Sequence, residues 1–162
     1  MKRLIVYYSL EGNTEFIVNK LVEKTGADKL KLVPVKAFAD KGFAKFFWGG
    51  KAAVMAEKPE LESYSFDEDV DEVVIGFPVW ASNITPPIRT FVSDNKDVLK
   101  NKRISAFACQ SGSGAEKAFS KLKALLGIED FYDTAIFIDP KDKPSEENDL
   151  KLDLFCKKIL AD

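Results

Sequence analysis

The first residues suited to chemistry form a short polar segment after an apolar run near the start of the chain: Ser9-Leu10-Glu11-Gly12-Asn13-Thr14. An amphipathic pattern begins directly after it, so the segment would lie at a helix N-terminus, where backbone N–H groups and the helix dipole favour an anion. Ser9 and Thr14 would add hydroxyl donors, and Asn13 an amide. The segment has no lysine or arginine, and it matches neither G-x-x-x-x-G-K-[ST] nor G-x-G-x-x-G. It favours a phosphate monoester over a triphosphate with magnesium; the alternative is a tight turn that caps a helix.

A second segment places a tryptophan between prolines: Pro78-Val79-Trp80-Ala81-Ser82-Asn83-Ile84-Thr85-Pro86-Pro87. A tryptophan in a loop that prolines make rigid is well placed to stack on a flat ligand. The alternative is that Trp80 packs beneath its own loop.

A third segment is rich in glycine and polar residues: Cys109-Gln110-Ser111-Gly112-Ser113-Gly114. The glycines allow the backbone to approach a ligand closely, and the amides can bond the edge of a polar heteroaromatic ring. A plain glycine-rich turn is the alternative. Cys109 is interpreted as a buried strand-end residue rather than a nucleophile, because the chain has no histidine to activate it.

The composition excludes several classes of protein. None of the 162 residues is a histidine, which excludes a Ser-His-Asp triad, a His-ligated zinc or haem and a histidine general base. Two cysteines are too few for Cys-rich zinc sites or iron–sulfur clusters. A net charge of -2 offers no basic surplus for nucleic acid, and no apolar run approaches the length of a membrane span. Two widely spaced cysteines without a signal peptide predict a cytoplasmic protein.

Short apolar runs alternate with amphipathic stretches along the chain. Buried strands are predicted at 4–8, 73–77, 104–109 and 134–138, because these runs are short, β-branched or aromatic, and not alternating. Residues 29–33 alternate with lysines, which predicts an edge strand. Helices are predicted between Asn13 and Gly26, from Pro86, over 115–126 and after Ser145. This order predicts an α/β fold in three layers, with helices on both faces of a parallel sheet.

Residues 35–69 are the one irregular stretch of a chain that is predicted to form a single domain over 1–162. The stretch carries five lysines, and it is too aromatic for a disordered linker. Its aromatic residues and the glycine pair after them are Phe43, Phe46, Phe47, Trp48 and Gly49-Gly50. Packing into the core is the favoured interpretation, and the alternative is that Phe46, Phe47 and Trp48 form a second wall over a ligand.

The three polar segments each follow a predicted strand, and ligands of open parallel sheets bind beyond the carboxyl ends of the strands. A phosphate cradle, an aromatic platform and a polar edge together predict a site for a phosphorylated planar molecule. Over residues 4–160 the chain resembles the flavodoxin family, in the motifs Tyr8-Ser9-Leu10-Glu11-Gly12-Asn13-Thr14, Gly76-Phe77-Pro78-Val79-Trp80 and Ala108-Cys109-Gln110-Ser111-Gly112-Ser113-Gly114.

The resemblance implies a doubly wound five-stranded sheet of order 2-1-3-4-5 and FMN as the cofactor. The residues that would hold the FMN phosphate are Ser9, Gly12, Asn13 and Thr14, with the backbone amides of Leu10 and Glu11. The residues that would face the isoalloxazine are Pro78, Val79, Trp80, Ala81 and Asn83. Those that would flank its pyrimidine edge or the ribityl chain are Gln110, Ser111, Gly112 and Gly114. Glu11 stands where the family usually has a hydroxyl residue, and the third segment lacks the aromatic residue that commonly sandwiches the flavin.

The first functional prediction from the resemblance is an FMN-binding protein that transfers electrons to redox partner proteins. A second is an FMN-dependent oxidoreductase that takes hydride from NAD(P)H and reduces a quinone-type acceptor, for which the lysines of 35–69 would attract the dinucleotide. A third is a binding module that has lost FMN, and Glu11 is its best support. No catalytic side chain is expected, because the flavin supplies the chemistry. No metal, nucleic acid or membrane span is expected either, for the reasons of composition given above.

Overall fold

The chain forms a parallel β-sheet of five strands in the order β2-β1-β3-β4-β5, as seen in a computed structural model that describes residues 1–38 and 49–161. The strands are β1 (Arg3–Tyr7), β2 (Asp28–Lys31), β3 (Glu72–Pro78), β4 (Arg103–Gln110) and β5 (Thr134–Ile138). Both the α/β fold class and the order 2-1-3-4-5 are therefore confirmed. The alternating lysines of 29–33 also indicated the right position, because β2 lies at the edge of the sheet.

Helices connect the strands and cover both faces of the sheet. Those in the described ranges are α1 (Asn13–Thr25), α2 (Gly50–Val54), α3 (Pro86–Asp94), α4 (Lys96–Leu99), α5 (Ala115–Leu126) and α6 (Glu146–Leu160). Pro86 begins α3 at a position where the missing N–H costs nothing. Ser145 caps the start of α6, and its hydroxyl oxygen accepts a hydrogen bond of 3.2 Å from the backbone N–H of Asn148.

Alternate residues of the central strands supply two hydrophobic layers. On one face Val6 and Ile75 belong to a buried cluster that includes Phe91 of α3 and Leu122 of α5. On the other face Ile5 and Tyr7 pack with Leu21 of α1 and Phe155 of α6. Burial on both faces explains why these strands are continuous apolar runs in the sequence.

A charged cluster lies at the amino-terminal end of the sheet, where β1, β3 and β4 begin. Glu72 is fully buried, and its Oε2 accepts hydrogen bonds from Arg3 Nε at 2.9 Å and Arg103 Nη2 at 2.7 Å. Its Oε1 accepts one from Ser105 Oγ at 2.9 Å. Because of these residues, three strands begin one residue earlier than predicted. An apolar pattern does not indicate charged residues as part of a buried strand, but here each charge is paired and can therefore be buried.

The start of the irregular stretch 35–69 pairs with residues 60–62 further along it. Pro34 and Leu61 form an antiparallel bridge, and the N–H of Val35 donates to the carbonyl of Glu60 at 2.9 Å. The residues predicted either to pack into the core or to form a second wall, Phe46, Phe47 and Trp48, lie outside the described residues, as does Phe43. In the part of the chain that is described, no helix is long and apolar enough to span a membrane.

Candidate functional site

A pocket of about 320 Å³ opens at the carboxyl end of the sheet. It lies where the segments after β1, β3, β4 and β5 meet, as expected for a doubly wound sheet. Its lining residues are Ser9, Leu10, Glu11, Asn13, Thr14, Gly50, Pro78, Val79, Trp80, Ala81, Cys109, Gln110, Ser111 and Asp139.

The segment after β1 turns sharply into α1 and leaves polar groups without partners. Gly12 adopts a φ of 100°, a left-handed conformation in which a side chain would be strained. Among the described residues, nothing accepts a hydrogen bond from the backbone N–H groups of Gly12, Asn13 and Thr14. The Thr14 hydroxyl is also buried, and apart from a weak interaction with the Cys109 thiol it has no hydrogen-bond partner within the described chain. These groups form an arrangement that an anion would complete.

The segment after β3 forms a tight two-residue turn beside this anion site. Trp80 and Asn83 exchange backbone hydrogen bonds of 3.2 and 2.9 Å. Between them Ala81 and Ser82 have φ values of 49° and 58°, which non-glycine residues rarely adopt. Asn83 also donates a side-chain hydrogen bond of 2.8 Å to the Ala81 carbonyl. Together with the backbone hydrogen bonds across the turn, it holds this strained backbone in place.

Trp80 is half-buried on the pocket wall, supported by an aromatic cluster. Tyr8 packs against it edge to face with ring centroids 5.7 Å apart, and Phe38 does so at 5.3 Å. A Cβ at Gly49 would lie 3.2 Å from the indole ring, so glycine lets the backbone of 35–69 approach Trp80 closely. Packing on several sides fixes the orientation of an indole that also reaches the pocket.

The segment after β4 is organised by the Gln110 side chain. Its Oε1 accepts a hydrogen bond of 2.9 Å from the N–H of Ala115, and its Nε2 donates to the Gly112 carbonyl at 3.1 Å. A Cβ at Gly114 would lie 2.7 Å from Ser82 Oγ, so this glycine allows the two segments to pack together.

Asp139, directly after β5, places a carboxylate on the pocket wall. It is 8% exposed and has a φ of 39°. Its Oδ1 accepts from Ser111 Oγ at 2.6 Å, and its Oδ2 accepts from Lys143 Nζ at 2.8 Å. Burial acts to raise the pKa of Asp139, but the hydrogen bonds from Lys143 and Ser111 outweigh it and lower the pKa below its usual value.

Cys109 lines the pocket as a protonated thiol. Burial raises its pKa to about 12, against a smaller opposing influence of the neighbouring Thr14 hydroxyl. The thiolate, which is the nucleophilic form, is therefore disfavoured. This supports the interpretation of Cys109 as a strand-end residue.

The structure brings eleven of the fifteen predicted site residues to this pocket. Gly12, Asn83, Gly112 and Gly114 are not part of the lining, although each lies in one of the three lining segments. The lining also contains Gly50, Cys109 and Asp139, which were not predicted to bind a ligand. Asp139 could have been found by the strand-end rule that selected the other segments, since it follows the strand predicted at 134–138. For Gly50, the only indication in the sequence was that it belongs to the glycine pair Gly49-Gly50.

The pocket thus combines an anion site, an aromatic wall and polar edge groups. Within the described ranges no cluster of three or more Cys, Asp or Glu residues could hold a metal ion. The arrangement can bind a flat molecule that carries an anionic group.

Comparison with known proteins places these features in a family. Among solved structures, a flavoprotein from Lactobacillus acidophilus NCFM in complex with FMN has a TM-score of 0.72 at 20% identity, covering 87% of this chain and 95% of that one. A flavodoxin from Streptococcus pneumoniae TIGR4 has a TM-score of 0.61 at 16% identity, covering 99% of both chains. A flavodoxin, WrbA-like protein from Agrobacterium tumefaciens has a TM-score of 0.57 at 11% identity, covering 98% of this chain and 94% of that one.

These likenesses show a shared fold. No curated protein matches the chain in sequence. The profile of the Flavodoxin family, in contrast, matches residues 2–136, which is most of the chain. The protein therefore belongs to the flavodoxin family.

Proposed function

We propose that this protein binds FMN in the pocket at the carboxyl end of the sheet and acts as an electron-transfer flavoprotein. The observation that carries the proposal is that one pocket contains both the unpartnered polar groups at the start of α1 and the indole of Trp80. Membership of the flavodoxin family supports the cofactor, as does a neighbour of the same fold that was crystallised with FMN.

The residues of the pocket fit the parts of FMN. The backbone N–H groups of Gly12, Asn13 and Thr14 and the Thr14 hydroxyl would donate hydrogen bonds to the phosphate. Trp80 would offer its indole to the isoalloxazine, because its neighbours hold the ring in place. Gln110 and Ser111 would lie beside the polar edge of the flavin or its ribityl chain.

Bound FMN would supply the redox chemistry, and the protein would provide binding, orientation and electrostatics. Among the described residues that line the pocket there are two carboxylates, Glu11 and Asp139, of which Asp139 is paired with Lys143, and no lysine or arginine. The described lining side chains therefore give a fully reduced, anionic ligand no direct counter-charge, so we expect that form to be disfavoured. Transfer of single electrons needs no acid or base, which is consistent with a chain that lacks histidine.

The proposed partners and location follow from the same features. Ala81 and Ser111 are exposed at the rim of the pocket, where a redox partner protein could approach the flavin. Both cysteines are free and buried, which is consistent with a protein of the reducing cytoplasm.

Titration of the flavin-free protein with FMN tests the proposal. We expect stoichiometric quenching of FMN fluorescence, followed by two resolved one-electron steps during anaerobic reduction. A protein that does not quench FMN at micromolar concentration would instead be a binding module without the cofactor.

Thr14→Val provides a matched variant for this titration. It keeps the shape of the side chain and removes the unpartnered hydroxyl, so we expect FMN affinity to fall about tenfold. Thr134→Val, at the exposed start of β5, makes the same chemical change away from the pocket and should leave the affinity unchanged.

The oxidoreductase that accepts hydride from NAD(P)H is the second candidate. A further cavity of about 360 Å³ is lined by Phe38, and Lys36, Lys51 and Glu57 contribute to its wall. Two lysines beside an aromatic ring would suit a dinucleotide phosphate. Oxidation of NADH or NADPH by the FMN-loaded protein, without a partner protein, would favour this function over a pure electron carrier.

A further inference from the structure

A segment far away in sequence is tied to the start of α1. Lys141 follows β5, and its backbone N–H donates to Asn13 Oδ1 at 2.9 Å. Asn13 Nδ2 in turn donates to Asp142 Oδ2 at 2.7 Å. The amide of Asn13 is thus engaged with residues 141 and 142. These two residues lie beyond the end of the family match at residue 136.

The Lys141 side chain reaches the same turn. Its Nζ donates a hydrogen bond of 3.0 Å to the Glu11 carbonyl. A Cβ at Gly12 would lie only 3.1 Å from this Nζ, so the ammonium group packs directly on the backbone of Gly12. Glycine at position 12 therefore permits both the left-handed turn and the close approach of the Lys141 side chain.

The position of this hydrogen bond has an electrostatic consequence. The Glu11 carbonyl and the Gly12 N–H belong to one peptide group, and a cation on the carbonyl polarises the N–H at its other end. That N–H is one of the groups that would donate to an anion. The positive charge also lies behind a loop that has no lysine or arginine of its own.

The neighbouring lysine is engaged differently. Lys143 Nζ pairs with Asp139 at 2.8 Å, so its charge is directed at a carboxylate on the pocket wall. Lys141 instead contacts a neutral carbonyl, which leaves its charge available to an anion held by the same loop.

We infer that Lys141 is a positioning residue for the phosphate group of the bound ligand, which it stabilises through the Glu11–Gly12 peptide and by its charge. This inference rests on the proposed function, because it takes the ligand to be FMN. Lys141 thereby supplies the cation that the segment 9–14 lacks.

Affinities for FMN and riboflavin, which differ only in the phosphate, test this role. Flavin fluorescence quenching would be measured with the wild-type chain, Lys141→Met and Lys141→Arg. We expect Lys141→Met to weaken FMN binding about three- to tenfold and to leave riboflavin binding within about twofold, since the side chain is exposed. Lys141→Arg should retain FMN affinity within about threefold, because it keeps the charge.

Two further measurements separate charge from loop structure. The effect of Lys141→Met on FMN should shrink in about 1 M salt, where the Debye length is about 3 Å, whereas loss of a structural brace would persist. Lys20→Met removes the same charge from α1 at an exposed ion pair with Asp149 and should leave FMN affinity unchanged.

The possible outcomes distinguish the inference from the proposed function. Wild-type affinity for FMN in Lys141→Met, or an equal loss for FMN and riboflavin, would overturn the role of Lys141 while leaving FMN as the cofactor. A wild-type chain that binds neither flavin would overturn the proposed function, and the role of Lys141 with it.

Discussion

The two ends of the β-sheet differ in how they pair their buried polar groups. At the amino-terminal end both carboxylate oxygens of Glu72 are paired, with Arg3, Arg103 and Ser105, and among the described residues Arg103 Nε is buried there without a partner. At the carboxyl end the Thr14 hydroxyl is buried without a partner. Four non-glycine residues of the described chain have positive φ, and three of them lie at this end: Ala81, Ser82 and Asp139.

This difference indicates that the amino-terminal end of the sheet contributes to stability, whereas the carboxyl end is arranged for ligand binding. A buried carboxylate is tolerated at one end because its partners are built into neighbouring strands. Unpartnered donors and strained backbone at the other end reduce stability, and a ligand that satisfies the donors would recover part of it. Substitutions at the amino-terminal end should therefore alter the free energy of unfolding, and loss of the unpartnered donors or of the aromatic wall at the carboxyl end should mainly alter ligand binding.

The largest expected effect is that of Glu72→Gln. The substitution retains the volume of the side chain but leaves the mostly buried Arg3 and Arg103 without their counter-charge. We expect the free energy of unfolding to fall by about 3–5 kcal/mol, as when one partner of a buried pair is removed. Urea denaturation of the flavin-free protein measures this change.

An exposed ion pair supplies the control for this substitution. Asp130→Asn makes the same carboxylate-to-amide change opposite Lys123, and both side chains are solvent-accessible. It should change the stability little. If Glu72→Gln were as mild as Asp130→Asn, the amino-terminal cluster would not be the stabilising end of the sheet.

Trp80→Ala should produce the largest effect on binding. Loss of the aromatic wall is expected to weaken FMN binding by about 1–3 kcal/mol, the range for aromatic stacking and burial. Tyr132→Ala is the matched control, because its ring packs on Arg103 at the opposite end of the sheet, 4.0 Å from the guanidinium. FMN titration should separate the two variants; equal affinities would mean that Trp80 supports its loop without contacting the flavin.

Asp139→Asn tests the charge at the pocket wall, and asparagine also tolerates the positive φ of this position. Because hydrogen bonds lower the pKa of Asp139, its carboxylate stabilises the fold above the unfolded pKa of about 3.9. This contribution is lost as the pH falls through the lower folded pKa. We expect a stability difference from wild type of about 1 kcal/mol at pH 5–8 that shrinks below about pH 4.

Thermal unfolding of both proteins across pH 3–8 measures this difference. Lys143→Met is the companion variant, since it removes the other half of the ion pair. A difference that stays constant down to pH 3 would show that the Asp139 charge does not contribute to stability.

The sequence was sufficient for the strands and for three of the segments that line the pocket. Strands that are buried on both faces leave continuous apolar runs, and glycines and prolines mark the turns that follow them. Thr14 and Trp80 were identified in this way. Asp139 was overlooked, although it also follows a predicted strand.

Other features depend on contacts between residues that are distant in the chain. Lys141 reaches the Glu11 carbonyl across 130 positions, and no local pattern indicates such a pairing. In the sequence, the charge of Glu72 indicates that the buried strand starts only after it. Its arginine partners, however, lie on β1 and β4, and pairing with them allows Glu72 to be buried. Gly50 lies in a stretch without periodicity, so no local pattern connected it with Ala81, whose Cβ would lie 3.9 Å from a Cβ at Gly50.

Ala81→Gly should cause the smallest change in the free energy of unfolding, and the sign of that change is what distinguishes a strained turn from an unstrained one. Alanine with a φ of 49° carries backbone strain that glycine does not, while glycine loses more conformational freedom on folding. The strain is the larger of the two, so we expect a gain of about 0.5 kcal/mol in the free energy of unfolding. Ala124→Gly, at an exposed position within α5, makes the same change without relief of strain and should destabilise by about 0.5–1 kcal/mol. Equal destabilisation by both variants would show that the turn at the pocket is not strained, and the contrast between the two ends of the sheet would then rest on unpartnered polar groups alone.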